Sequence, residues 1–197
     1  LTRFEGFAVE SPDGATTVLR AHVLEVAQQG DELVAVAQRP RLEQAALGDA
    51  WQWLAATLRA APPQSFAKLR LLAQELRVSS DEAGLTLHDL DVVFERSRQS
   101  ARVEASCFAD PDVPTERTRM LVSRGRRSAG YGVEFELFSP TPLPCSLARG
   151  ILDVESWLGA DSRFQGTLRV ARHPRGASGD ADAHRFRRSN TGRTDRW

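Results

Sequence analysis

Apolar and polar residues alternate along most of this chain, with the two-residue period of a β-strand that buries one face. The clearest example is the stretch 130–139, where glycine and glutamate occupy the second face and Phe138 is an apolar exception. Its apolar face carries Tyr131, Val133, Phe135 and Leu137. The stretch therefore predicts an antiparallel strand with one side in a core and the other in water.

The same period predicts further strands, separated by segments rich in glycine, proline and aspartate. They cover residues 4–9, 16–26, 32–38, 68–79, 85–96, 101–109, 118–124 and 164–170. The first break, Ser11-Pro12-Asp13-Gly14, is a strong turn signal, because proline presets φ and glycine accepts a positive φ. The first two strands are thus expected to form a hairpin, and residues 125–129 are expected to form a basic turn.

Two stretches have the period of a helix instead. The first begins at Asp49, a residue suited to the N-cap, and is expected to span 49–60, because Pro62 and Pro63 prevent its continuation. The second, 143–158, is expected to follow a loop made by the prolines of 140–144. The apolar faces of the two predicted helices carry Trp51, Leu54, Ala55 and Leu58, and Leu147, Ile151, Val154 and Leu158.

These elements predict a mainly β protein with two short helices, of the α+β class, whose strands form a long antiparallel meander curved into a groove-like sheet. We interpret residues 1–170 as this sheet region and as a fragment of a larger protein, because a strand pattern begins almost at Leu1. Residues 171–197 are arginine-rich with almost no aliphatic side chains, and they are predicted to be a disordered basic tail. An out-of-frame reading of GC-rich DNA has the same composition, so a non-native origin of this tail stays open.

The charge balance excludes a global attraction to nucleic acid or to an anionic membrane. Lys+Arg 26 against Asp+Glu 26 gives a formal net charge of +0, so no nucleic-acid partner is expected. No stretch approaches the ~18 apolar residues of a membrane span, and no signal peptide is recognisable. Because the start of the parent protein is expected to be missing, neither observation assigns a compartment.

His88, Asp89 and Asp91 form the best acid–base candidate of the chain. Strand residues one or three apart point to opposite faces, so neither carboxylate is expected to reach the imidazole. A solvated strand edge is the preferred interpretation, and no enzyme activity is predicted. The sequence also contains no phosphate-binding loop, nucleophile elbow or zinc-protease motif.

Three further groups of residues carry side chains of the types that bind metals or anions. Asp110, Asp112 and Glu116 lack the glycine and the spacing of a calcium loop, so no metal and no cofactor is predicted. The basic cluster 124–127 has the chemistry to touch phosphate or lipid head groups, although a solvated turn is preferred. Two cysteines, at positions 107 and 145, fit no zinc motif. The first is expected to be a small buried residue, and a disulfide between the two stays open.

Several short segments occur in an order that is typical of one protein family. They are 30–34 (Gly-Asp-Glu-Leu-Val), 39–42 (Arg-Pro-Arg-Leu), 85–94, 142–144 (Pro-Leu-Pro), 158–159 (Leu-Gly) and 164–166 (Phe-Gln-Gly). Together with the helices and long strands between them, they resemble the AsmA-like family of bacterial envelope proteins, relatives of TamB and of the bridge-like lipid-transfer proteins. The resemblance covers residues 1–170.

The resemblance implies a taco-shaped sheet whose apolar concave face carries phospholipid acyl chains between the inner and outer membranes of a Gram-negative bacterium. It also implies a periplasmic location, a role in outer-membrane biogenesis, and an inner-membrane anchor that is missing from this chain. The residues expected to line the lipid groove are Val103, Ala105, Met120, Val122, Tyr131, Val133, Phe135 and Leu137.

The alternative is a closed β-sandwich whose core is filled by side chains, serving as a scaffold or protein-interaction module without a lipid ligand. Two short helices are few to cover so much sheet, which favours the groove. An enzyme ranks last, because no nucleophile–base pair can be assembled from the four histidines of the chain.

Overall fold

A computed structural model arranges the described strands of the chain in one large β-sheet. It describes residues 1–11, 14, 16–50, 67–79, 84–97, 100–110, 116–127, 130–148 and 162–172. Two short 3-10 helices, Gln44–Ala46 and Cys145–Ala148, follow strands. The ten strands of the sheet are β1 (Thr2–Glu10), β2 (Thr17–Gln29), β3 (Glu32–Gln38), β4 (Arg41–Glu43), β5 (Lys68–Ser79), β6 (Leu85–Arg96), β7 (Ser100–Phe108), β8 (Thr118–Arg127), β9 (Gly130–Pro144) and β10 (Arg163–Arg172).

The strands follow one another across the sheet in chain order, with β3 and β4 end to end between β2 and β5. Most neighbours are antiparallel, as predicted. The prediction of an antiparallel meander is wrong at one place, because β3 and β4 run parallel to β5. The connection from Glu43 to Lys68 is long enough for this, since a parallel crossover needs roughly a dozen residues or more.

Alternation of apolar and polar residues located the strands well. The structure confirms β3, β5 and β6 at their predicted bounds and confirms the first hairpin, β1–β2. The short strand β4 was not predicted, because three residues carry too little periodicity to recognise. Extensive contacts between described strands occur only between sheet neighbours, so these strands form a single layer.

One face of the sheet carries the hydrophobic core. Twelve of the 18 buried hydrophobic residues that the structure describes fall into two adjoining clusters, and Val92 packs against both. The first cluster contains Ala21, Leu24, Ala35, Ala37, Ala73, Leu76, Leu90 and Cys107. The second contains Ala101, Val103, Val122 and Phe135. Because the clusters share a partner, this apolar face is continuous along the sheet.

A line of irregular backbone crosses the sheet, marked by positive φ at Gly6 (62°), Arg39 (50°), Asp89 (49°) and Gly166 (112°). We call these four residues the irregular line. The strand registers place Gly6 and Arg39 in one row across the sheet, through position 22 of β2 and position 75 of β5. Asp89 of β6 lies one residue away from this row. Such irregularities interrupt the alternation of side chains.

The interruption decides which residues reach the core. Ala21 and Leu24 lie three residues apart on β2, which puts them on opposite faces of a regular strand. Both belong to the first core cluster, because the irregular line passes between them. Ala73 and Leu76 on β5 show the same change of face.

Neither predicted helix is confirmed. Residues 47–50 are α-helical, and the rest of the predicted helix 49–60 lies outside the described residues. The predicted helix 143–158 is wrong at its start, since Leu143 and Pro144 end β9 and a 3-10 helix follows. Residues 149–158 lie outside the described part of the chain.

The predicted proline loop 140–144 is a strand. Its residues extend β9, and Leu143 pairs with Phe164 of β10. On the other side, β8 begins only at Thr118, so among the described residues this part of β9 pairs only with β10. A strand that pairs on one side only accepts proline at every second position. The proline nitrogens, which carry no hydrogen, then all face the unpaired side.

Two predicted boundaries also shift. The basic turn predicted at 125–129 is wrong for residues 125–127, because they belong to β8 and pair with β9, whereas residues 128–129 lie outside the described residues. The prediction of a tail from residue 171 is wrong for its first two residues, because Ala171 and Arg172 belong to β10. Residues 173–197, the remainder of the predicted disordered tail, lie outside the described residues.

Candidate functional site

The residues predicted to line a groove lie on three neighbouring strands, β7, β8 and β9. Six of them form two cross-strand rows on the apolar face. The rows are Val103–Val122–Phe135 and Ala105–Met120–Leu137. The other two, Tyr131 and Val133, occupy backbone positions of β9 opposite Arg126 and Arg124. The register thus brings the predicted set onto one continuous patch of backbone.

The two rows differ in exposure. Val103, Val122 and Phe135 are buried, with 3%, 6% and 8% of their surface exposed. Met120 and Leu137 are only partly buried. The second row is therefore the more accessible of the two.

The apolar patch extends beyond the predicted residues onto the flanking strands. Leu168 of β10 packs against the second cluster from one side, and Phe94 of β6 packs from the other. Leu69 and Leu71 of β5 continue the face toward the first cluster. The face consequently spans the width of several strands, which is more than sequence reasoning assigned to it.

A row of small side chains, Cys107–Thr118–Ser139, follows the second row along these strands. Thr118 pairs with Cys107, and its hydroxyl Oγ1 lies 3.2 Å from Oγ of Ser139. The Ser139 hydroxyl donates to the carbonyl of Thr141 at 2.6 Å. These buried hydroxyls therefore satisfy one another and the backbone, and they require no ligand.

The prediction that Cys107 is a small buried residue is confirmed. Burial raises the pKa of its thiol to about 11, against a smaller lowering by the charge of Arg117. A thiol with such a pKa stays protonated near neutral pH and is a poor nucleophile. Both Cys107 and Cys145 are free thiols in the structure, so the disulfide left open by the sequence is not formed.

The acid–base candidate does not assemble. The Arg70 guanidinium holds Asp91 through two hydrogen bonds, Nε to Oδ1 at 3.0 Å and Nη2 to Oδ2 at 2.7 Å. These bonds lower the pKa of Asp91. His88 instead lies near β5, with its Nδ1 4.0 Å from Oε1 of Glu75. Sequence reasoning missed both partners, because Arg70 and Glu75 lie on another strand.

Arg117 secures the irregular backbone at Asp89. Its guanidinium lies 4.6 Å from the centre of the Phe108 ring, and Nε donates to Ser106 Oγ at 3.2 Å. It also donates to the backbone carbonyl of Asp89. This single side chain thus joins the bulge of β6 to β7, which is a structural role.

Metal chemistry and a helical membrane span find no support in the described part of the chain. No group of three or more His, Cys, Asp or Glu side chains there is placed to hold a metal ion. Asp110 and Glu116 are described, whereas Asp112 lies outside the described residues. Among the helices that the structure describes, none has the length and apolar character to cross a bilayer.

The polar face carries a feature that the sequence did not predict. Arg20, Arg41 and Arg77 occupy directly opposite positions on β2, β4 and β5. Beside them, at the irregular line, lies a cleft of about 450 Å³. Its lining residues are Arg39, Pro40, Arg41, Gln74, Glu75 and Arg77. We call this the arginine cleft. In the sequence, the triplet Arg39-Pro40-Arg41 is the part of this cleft that can be recognised. Its alignment with Arg77 cannot, because it depends on the parallel pairing of β4 and β5.

Comparison of the chain with protein-family models, with curated proteins and with solved structures finds no match.

Proposed function

We propose that this chain belongs to a non-enzymatic protein of the bacterial cell envelope, which binds phospholipid acyl chains and takes part in their transport between membranes during outer-membrane biogenesis. In this proposal the intact protein lies in the periplasm and is anchored in the inner membrane. The observation that carries the proposal is the continuous apolar face of a single-layered sheet. The partly buried residues of this face include Leu69, Leu71, Val92, Phe94, Met120, Leu137 and Leu168.

The energetic basis is the removal of apolar surface from water. An extended apolar sheet face needs a cover. The described strands make extensive contacts only with their sheet neighbours, so no second described sheet supplies one. An acyl chain gains about 0.8 kcal/mol for each CH₂ group that it buries. A chain lying along Ala105, Met120 and Leu137 would cross three strands and bury several such groups.

A scaffold or protein-interaction module without a lipid ligand is the second candidate. The low exposure of Val103, Val122 and Phe135 favours it, because these residues are buried within the chain itself. The described strands form one sheet and not the two sheets of a sandwich. The scaffold candidate therefore rests on internal burial alone.

Met120 and Leu121 supply a matched pair of variants, because neighbouring strand residues point to opposite faces. Met120 packs against the second core cluster, whereas Leu121 pairs with Glu104 and Glu136. We expect Met120→Lys to place an ammonium group against the acyl chain and to reduce bound phospholipid about tenfold. Leu121→Lys adds the same charge one residue away and should leave the bound lipid unchanged.

The measurement is organic extraction and mass spectrometry of phospholipid from the full chain, purified from a bacterial periplasm. Circular dichroism and thermal melting establish that each variant is folded. A folded wild-type chain that carries no phospholipid after purification, and that binds no added fluorescent phospholipid, would exclude lipid binding and leave the scaffold candidate.

A further inference from the structure

Arg20, Arg41 and Arg77 form a row of like charges on the polar face, which we call the arginine row. This row is electrostatically unfavourable by itself. Arg41 faces Arg20 on one neighbouring strand and Arg77 on the other. Like charges directly opposite one another destabilise a sheet. The side chains of Arg41 and Arg77 make no hydrogen bond or ion pair with any residue that the structure describes. An anion bound between them would turn this repulsion into attraction.

The cleft beside this row has the charge and the size of a small-molecule site. Its lining contains three arginines and one glutamate, a net formal charge of 3 − 1 = +2. Its volume of about 450 Å³ lies within the roughly 300–1,000 Å³ of ligand pockets. The planar guanidinium forks of Arg39, Arg41 and Arg77 match the oxygens of a phosphate group, and the amide of Gln74 adds a donor.

Backbone geometry is a second, independent observation. Arg39 has a φ of 50°, a left-handed conformation that residues with a side chain rarely adopt,. Strained residues of this kind cluster at binding sites. The backbone N–H of Arg77 donates to the carbonyl of Pro40 at 3.1 Å, which fixes β4 against β5 beside the strained residue. The positions of Arg39, Arg41 and Arg77 are therefore held by the fold.

We propose that the arginine cleft binds a phosphate group carried on a small organic molecule. The neighbours of its arginines along the strands, Leu42 and Val78, lie on the apolar side, where Leu42 packs against the core and Val78 is 4% exposed. The cleft thus opens on the face opposite to the apolar face, and this inference does not rest on the proposed function. The phosphate has two sources, a soluble phosphorylated compound or the head groups of a membrane surface.

The experiment uses the full chain at low ionic strength, because salt screens exposed charges. Isothermal titration calorimetry with glycerol 3-phosphate and with inorganic phosphate tests the soluble source. Co-sedimentation with phosphatidylcholine vesicles, with and without phosphatidic acid, tests the membrane source. The variants are Arg41→Gln with Arg77→Gln, Arg41→Lys alone, and the control Arg102→Gln. Arg102 is an exposed arginine already paired with Glu104.

We expect saturable binding to glycerol 3-phosphate or to the anionic vesicles. Each change of arginine to glutamine should weaken this binding about 10-fold to 100-fold, because it removes a hydrogen bond between two charged groups. Arg41→Lys keeps the charge but loses the planar fork, so its affinity should fall between wild type and the double variant. The control Arg102→Gln should bind like wild type.

The double variant should melt no lower than wild type, because it removes opposing charges. If it fails to fold, Arg41→Lys and Arg102→Gln together decide the question. Binding to the soluble compound identifies a small-molecule site, and binding to anionic vesicles alone identifies a head-group site. Absence of both interactions in the folded wild-type chain, or equal binding by the arginine-cleft variants, would overturn the proposal.

Discussion

At the scale of single residues, two parallel hydrogen bonds join Arg70 and Asp91 into an ion pair. The hydrogen bond from Arg70 is the largest cause that lowers the pKa of Asp91, and partial burial opposes it. The same bond raises the pKa of Arg70. The side chains are 42% and 27% exposed, so water screens much of the attraction,.

The first prediction concerns the pH dependence of this pair. Asp91 has a folded pKa below its unfolded value of about 3.9, so its contribution is present above that value and is lost as the pH falls through the folded pKa,. Asp91→Asn should lower the free energy of unfolding by about 1 kcal/mol or less at pH 7. Urea unfolding of both proteins at pH 7 and at successively lower pH should show the difference shrinking below about pH 4. A difference that is the same at every pH would contradict this account.

At the scale of elements, the irregular line shows how one residue redirects a strand. Asp89 has a φ of 49°, and β6 gains one residue relative to β7 at this point. Arg117 then holds the displaced backbone by its bond to the Asp89 carbonyl. The bulge thus depends on backbone conformation and not on the Asp89 carboxylate.

Substitutions at Asp89 should therefore follow backbone preference. Asp89→Gly should be at least as stable as wild type, because glycine adopts positive φ freely. Asp89→Val should lower the free energy of unfolding by about 1–2 kcal/mol, because a β-branched residue resists this conformation. Thr86 on regular β6 is the control, where the order should reverse and valine should be tolerated better than glycine. The measurement is urea denaturation, and equal stability of the two Asp89 variants would count against a backbone cause.

At the scale of the whole molecule, the sheet described here is open. Its edges are β1 and β10, which have no second neighbour among the described strands. An open edge presents unpaired N–H and C=O groups that can pair with another chain. Arginines at 163 and 169 place charge along β10, whereas β1 exposes 47% of the Phe4 surface.

We expect β1 to be the edge through which copies of this chain associate. Phe4→Lys should reduce self-association, and so lower the average sedimentation coefficient at high protein concentration, because it replaces an exposed aromatic ring by a charge. Thr2→Lys adds the same charge to the same strand but keeps the ring, so it should have the smaller effect. Sedimentation velocity over a range of concentrations is the measurement. A wild-type chain that stays monomeric throughout would rule this edge out as an association site.

Much of the fold could be predicted, and the candidate site only in part. The rows of Val103 and Ala105 share a face because β7, β8 and β9 pair in regular register there, so alternation alone was enough to place Met120 and Leu137 on the apolar face. The partnership of His88 with Glu75 and the arginine row could not be predicted in this way. Both depend on the register between separate strands, which local periodicity does not contain.

The sequence by itself determined where most strands lie and which residues of each regular strand face the core, because a strand's period of two is written in neighbouring residues. Only the tertiary structure decided that β4 and β5 run parallel and that Arg20, Arg41 and Arg77 stand side by side. It also decided that Ala21 and Leu24 reach the same core. These outcomes follow from pairing between distant segments and from positive φ at non-glycine residues, and neither leaves a local pattern in the chain.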